Sequence, residues 1–107
     1  YYSNTGSYVD VAAPGGNPSD SYDTDPGHWI ASTYWRGSGY SYAQIAGTSQ
    51  ACPHVAGLAA LILSVNDALS NDAVEQIIES TAVDLGAAGR DDTFGYGRID
   101  VAAATAA

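Results

Sequence analysis

Gly47-Thr48-Ser49-Gln50-Ala51-Cys52-Pro53-His54-Val55-Ala56-Gly57 marks the point where this chain changes character. Beyond it, apolar residues fall at Ala51, Val55, Ala56, Leu58, Ala59, Ala60, Leu61, Ile62, Leu63 and Val65. A helix that is apolar all round is a buried one, so the pattern predicts a buried helix over residues 51–65. Small residues at Ala56, Gly57, Ala59 and Ala60 would let neighbouring elements approach closely. Gly47, Thr48 and Ser49 stand at its mouth. Small side chains there admit a substrate backbone, and the free N–H groups of a helix start face a developing negative charge. Pro53 has no N–H to return to the Ser49 carbonyl, so the ladder is disturbed and Ser49 is expected at the lip with a reachable hydroxyl. On these features alone, a cap is the commoner role for a serine at a helix start.

Working outward, a second helix is predicted over residues 71–82. Ser70 is a good N-cap, Asp72 and Glu75 lie near the positive end of the dipole, and Val74, Ile77, Ile78 and Thr81 share one face. A glycine-rich loop over residues 86–97 leads to Arg98-Ile99-Asp100, and Asp100 can cap a short alanine-rich terminal helix. Upstream, Tyr8-Val9-Asp10-Val11-Ala12-Ala13 alternates like a strand until Pro14-Gly15-Gly16 ends it. Residues 17–27 are Ser, Asp, Asn, Pro and Gly, a surface loop. His28-Trp29-Ile30-Ala31-Ser32-Thr33-Tyr34-Trp35 has the β-branched and aromatic content of a strand. Gly37-Ser38-Gly39 breaks it, and Tyr40-Ser41-Tyr42-Ala43-Gln44-Ile45-Ala46 is its candidate return partner.

The stretch from Gly47 to Gly57 resembles the nucleophile motif of the subtilisin-like serine proteases. Tyr2-Ser3-Asn4, with Val9-Asp10-Val11-Ala12-Ala13-Pro14-Gly15, is similar to the segment that precedes it in that family. Gly95-Tyr96-Gly97-Arg98-Ile99-Asp100-Val101-Ala102-Ala103-Ala104 is similar to the closing hairpin and helix, with Asp100 where asparagine is common. The resemblance implies an α/β, three-layer fold with a mostly parallel sheet, and endopeptidase activity with Ser49 as nucleophile. It sets Gly47, Thr48 and Gln50 around the oxyanion and the substrate, with Ala46, Gly47 and Thr48 on the leaving side. Gln50 departs from the methionine usual there. Asp10 resembles a position near a family calcium site, so structural calcium is an expectation while catalysis needs no cofactor. The resemblance also implies an extracellular protein acting on polypeptides.

The resemblance implies a triad in the chain order Asp, His, Ser. Residues 1–46 carry neither the aspartate nor the histidine motif, nor the stretch with the oxyanion asparagine. Residues 1–107 are therefore expected to be the C-terminal portion of one catalytic domain, whose N-terminal part is the partner. His54 lies about 500° around a helix from Ser49, some 140° from the serine's side, and is expected to be a satisfied, partly buried helix residue. His28 reads as a loop histidine and Cys52 as a packed thiol. Two rival readings stand beside the endopeptidase. One is an inactive subtilase fragment with a structural or binding role. The other is a Gly-x-Ser-x-Gly hydrolase, which the lack of a second glycine after Ser49 weakens.

Composition excludes other classes. The 107 residues carry 12 acids and 3 arginines with no lysine, a net charge of −9 that leaves no basic patch for nucleic acid. Apolar residues make up 46%, enough for a core. One cysteine rules out an intrachain disulfide, and two distant histidines do not make a zinc cluster. No unbroken apolar run approaches the ~18 residues of a membrane span. Asp20, Asp23 and Asp25 form a D-x-x-D-x-D run that lacks EF-hand spacing, so solvated loop acids are the plainer reading.

Overall fold

The computed structural model of the chain describes residues 2–17 and 26–107. The Asp20, Asp23 and Asp25 run lies outside them. A single 3₁₀ turn at Pro26–His28 leads into strand β1, Ile30–Trp35, which pairs antiparallel with β2, Tyr40–Ile45. The register runs from Ile30 opposite Ile45 to Trp35 opposite Tyr40, with Gly37 at φ 77° helping to reverse the chain. Helix α1 covers Thr48–Val65, α2 Asn71–Thr81 and α3 Val101–Ala106.

The three helices meet in one small core. Leu58 and Ile62 from α1, Val74 and Ile78 from α2, and Ala104 from α3 are buried, with Val11, Val55, Ala59, Leu69, Ile77 and Ile99 packed against them. Each buried pair is spaced i, i+4, so it stacks on one helix face. The caps hold the geometry. The Ser70 hydroxyl accepts from Ala73 N–H at 3.2 Å, and the Asp100 carboxylate accepts from Ala103 N–H at 2.9 Å.

Within these residues α1 is buried along one stripe. Only the 55/58/59/62 stripe packs, because α2 and α3 cover one side; Leu61 is 48% exposed and Val65 64%. Nothing would meet a Cβ added at Gly57 within 4 Å, so the small-residue face also stands open. The helix begins earlier than the sequence indicated, at Thr48, and carries Pro53 inside it. Thr48–Val65 contains no charged residue and has a mean hydropathy of 1.3 over 18 residues, enough to span by length and composition alone.

The segment around Tyr8 to Ala13 does not form the strand its alternation suggested. Ala12 makes one parallel bridge to Arg98, through Ala12 N–H to the Gly97 carbonyl (2.8 Å) and Ile99 N–H to the Ala12 carbonyl (2.9 Å). On the other side, Arg98 bridges antiparallel to Val83. Among the described residues the parallel component of the sheet is this single bridge, and the two-stranded ladder is the antiparallel hairpin. The glycine-rich segment folds around Asp91, whose carboxylate accepts from the N–H groups of Phe94 (2.8 Å), Thr93 (2.8 Å) and Ala87 (3.1 Å). Phe94 first, then Thr93, hold this carboxyl below the usual carboxylate range. Gly95, at φ 61°, brings the resulting turn against the Asp10 carbonyl, which accepts from Tyr96 N–H at 2.7 Å.

Candidate active site

Ser49 is the second residue of α1 and is exposed. The cap position belongs to Gly47, which has no side chain to contribute, so the Ser49 hydroxyl is not spent on capping. Gln50 and Ala51 N–H both turn to the Gly47 carbonyl, at 3.0 and 3.3 Å. Thr48 and Ser49 therefore come before the first N–H groups that turn back into the helix, where donors face outward. A backbone donor beside an unspent hydroxyl supplies two of the parts of nucleophilic attack with oxyanion stabilisation, the third being a base.

What fixes this helix mouth is a scaffold that the sequence reading missed. Gly47 N–H donates to the Gly15 carbonyl at 2.7 Å, and the Tyr2 hydroxyl reaches the carbonyls of Gly15 (2.9 Å) and Gly16. A Cβ on Gly15 would come within 2.7 Å of the Gly47 carbonyl oxygen, and one on Gly16 within 2.8 Å of the Ala46 Cβ. Pro14-Gly15-Gly16 thus does more than end a strand. Its two adjacent glycines let one stretch of backbone lie directly on another, and paired glycines were the sequence signal for it.

A cavity of about 350 Å³ is lined by Ile30, Ala31, Ser32, Ser49, Gln50, Pro53 and His54. It brings together Ser49, Gln50 and the base of the hairpin. His54 also borders it, but its Nδ1 lies 2.7 Å from the Gln50 carbonyl, one turn back along its own helix. The ring is satisfied, and it is exposed rather than partly buried. Cys52 likewise is exposed rather than packed. Both corrections follow from α1 burying one stripe only. His28 sits on the 3₁₀ turn before β1 and is not among the residues lining that cavity.

Asp10 lies elsewhere. It borders a second cavity of about 460 Å³ between α1 and α2 with Glu75 and Glu79, under an apolar wall that includes Val55, Leu63 and Val74. Burial first, then the neighbouring Glu75 and Asp10 carboxylates, push the Glu79 carboxyl above its usual value. Among the described residues, no three His, Cys, Asp or Glu side chains gather as a metal would need.

A helix-borne serine with its hydroxyl free of capping, at the mouth of a cavity, has the placement that a serine hydrolase nucleophile needs. Comparison narrows the class. The subtilase family (Peptidase_S8) matches residues 1–97, and the chain belongs to that family. It is 38% identical over 99 residues to the halolysin-like extracellular serine protease Nep of Natrialba magadii, covering 92% of this chain and 15% of that protein. It is 36% identical over 104 residues to subtilisin Savinase of Lederbergia lenta, covering 97% of this chain and 32% of that protein. Among solved structures, a protease of Pseudoalteromonas arctica superposes with a TM-score of 0.83 at 44% identity, over 99% of this chain and 31% of the other. The fold is that of a subtilisin-like protease portion. The chain spans less than a third of the length of each of these three relatives.

Proposed function

We propose that this chain supplies the nucleophile of a serine endopeptidase. Ser49 Oγ attacks the peptide carbonyl after passing its proton to a histidine outside this chain, which an aspartate orients. The Ser49 N–H and an asparagine, also outside this chain, stabilise the oxyanion of the tetrahedral intermediate. The acyl-enzyme then forms as the leaving amine takes the proton. Ala46, Gly47 and Thr48 flank the leaving side, and Gln50 borders it.

The observation that carries this reading is the exposed Ser49 at the uncapped start of α1, within a chain of the subtilase family. The open face of α1 supports the companion proposal that the rest of the domain packs there, since exposed apolar helix surface is otherwise costly. The chain alone is then inactive, because a lone serine hydroxyl is a weak nucleophile and His54 is held by the Gln50 carbonyl. Relatives named as extracellular proteases support secretion and polypeptide substrates. Calcium near Asp10 is part of the same proposal, in a structural role.

The test is to assay the 107-residue chain on a casein-like substrate with and without a separately expressed N-terminal part. Complementation should restore both cleavage and labelling of Ser49 by a serine-directed phosphonate, and Ser49→Ala should abolish both. Full cleavage by assembled Ser49→Ala ends the proposal. Assembly without cleavage or labelling would support the inactive relative instead.

A further inference from the structure

The β1–β2 hairpin carries Tyr34, Trp35, Tyr40 and Tyr42, all exposed. Directly opposed residues of an antiparallel pair share a face. The register therefore sorts Ile30/Ile45, Ser32/Ala43 and Tyr34/Ser41 onto one side, and Ala31/Gln44, Thr33/Tyr42 and Trp35/Tyr40 onto the other. On that second side Trp35, Tyr40 and Tyr42 are 58%, 94% and 78% exposed. The Trp35 and Tyr40 rings meet edge to face, 5.2 Å between centroids, so the two rings are set by the strand pairing before anything binds.

This platform is continuous with the candidate active site. The hairpin base, Ile30, Ala31 and Ser32, lines the cavity that holds Ser49. From Tyr40, β2 runs back through Ile45 directly into Ala46, Gly47 and Thr48. At ~3.4 Å per residue, the strand carries the aromatic tip ~17 Å from its own base, the reach of about five extended substrate residues.

The geometry points to the hairpin as an extended subsite of the protease. The Trp35–Tyr40–Tyr42 face receives an aromatic side chain about five residues past the scissile bond, on the leaving-group side. This rests on the proposed function, which sets Ala46, Gly47 and Thr48 on that side. The occupant is a polypeptide because the platform and the cavity share one hairpin, and a net charge of −9 opposes a nucleic acid. An aromatic side chain suits it better than a cationic one. The Arg36 guanidinium sits over the Tyr34 ring at 5.6 Å from its centroid, so the hairpin tip already carries a positive charge. Exposed rings offer a further ring both a face and an edge.

The test uses this chain assembled with the N-terminal part of its domain. Internally quenched peptides share one sequence through the third residue after the scissile bond, then continue in a glycine tail or the same tail with phenylalanine or lysine at the fifth residue. Phenylalanine should raise kcat/KM ~2- to 10-fold over glycine. Trp35→Ala with Tyr40→Ala should erase that gain, while hydrolysis of a short ester with no leaving peptide stays unchanged. No gain from phenylalanine, a gain that survives the double substitution, or a gain from lysine instead overturns the subsite. A second measurement needs no chemistry. In assembled Ser49→Ala carrying Trp29→Phe, the phenylalanine-bearing leaving fragment should change Trp35 fluorescence, and Tyr40→Ala should weaken its binding several-fold. If the assembled parent with Ser49 intact does not hydrolyse the ester while the Ser49→Ala assembly gives the fluorescence response, the protease reading is rejected and the platform supported. If the assembled parent hydrolyses the ester while the Ser49→Ala assembly gives no fluorescence response, the platform alone is rejected.

Discussion

Replacing Gly15 by alanine tests whether the helix mouth is held from below. The added Cβ would stand 2.7 Å from the Gly47 carbonyl oxygen, where real Cβ atoms do not come within 3.0 Å. Backbone cannot swing aside like a side chain, so the two segments must separate by roughly 0.3 to 0.7 Å to reach ordinary contact. That movement stretches the 2.7 Å bond from Gly47 N–H to the Gly15 carbonyl, worth about 1 kcal/mol. It also displaces Ser49, two residues along. A misplacement of about 1 Å can cost ~100-fold in rate, so half of that is expected to cost ~10-fold. The effect should fall on kcat for ester hydrolysis and on the phosphonate labelling rate of Ser49 in the assembled enzyme, with hydrogen exchange at the Gly47 amide accelerated in the same variant. Unchanged labelling together with unchanged exchange would refute the idea that Gly15 positions the nucleophile.

Alanine at Gly95 combines a left-handed backbone, φ 61°, with a collision against the Asp10 carbonyl, and should destabilise the chain by about 2–4 kcal/mol in denaturant melts. Asp91 titrates below its usual range in the fold, so the stability it contributes is present above the unfolded carboxylate pKa and is lost as pH falls through the lower folded value. Amide protection at Phe94 and Thr93, taken relative to the intrinsic exchange rate at each pH, should therefore fall on acidification in the native protein, whereas Asp91→Asn should show low protection at every pH. Glu79 behaves oppositely. Its raised value means that ionisation in the fold is disfavoured, so stability falls as pH rises past the usual glutamate range. Glu79→Gln should melt slightly higher than the parent at neutral pH and lose that advantage in acid. Finally, oxidation turns a thioether bulky and polar, so the assembled enzyme should survive peroxide better than its Gln50→Met variant, and equal inactivation rates would argue against Gln50 lying beside the nucleophile.

The helices were readable because their signals are local. Ser70, Asp72 and the Val74/Ile78 spacing specify α2 within one stretch of a dozen residues, and Asp100 caps α3 the same way. The hairpin followed from aromatic and β-branched runs around Gly37-Ser38-Gly39. The motif at Ser49 was legible for a comparable reason. Small residues, a proline and an apolar helix are all adjacent in sequence, and the family resemblance added specificity that residue types alone did not carry.

What failed depended on distant partners. Alternation at Val9, Asp10 and Val11 implied a strand, but a strand exists only where another chain segment accepts its hydrogen bonds, and Ala12 finds one bridge, to Arg98. All-round apolarity implied burial of α1, yet burial belongs to the neighbours, and α2 and α3 cover only the stripe through Leu58 and Ile62. The exposure of His54 and Cys52 changed with it. Only the tertiary structure could give the cap at Gly47 to backbone rather than to Ser49, or lay Gly15 under the helix mouth, because close backbone contact across 32 residues leaves no periodic trace in a sequence. The sequence by itself determined which segments are helical and singled out Ser49 as the candidate nucleophile. The fold decided what those segments touch, since the free energy of a contact is set by whichever surface arrives to share it.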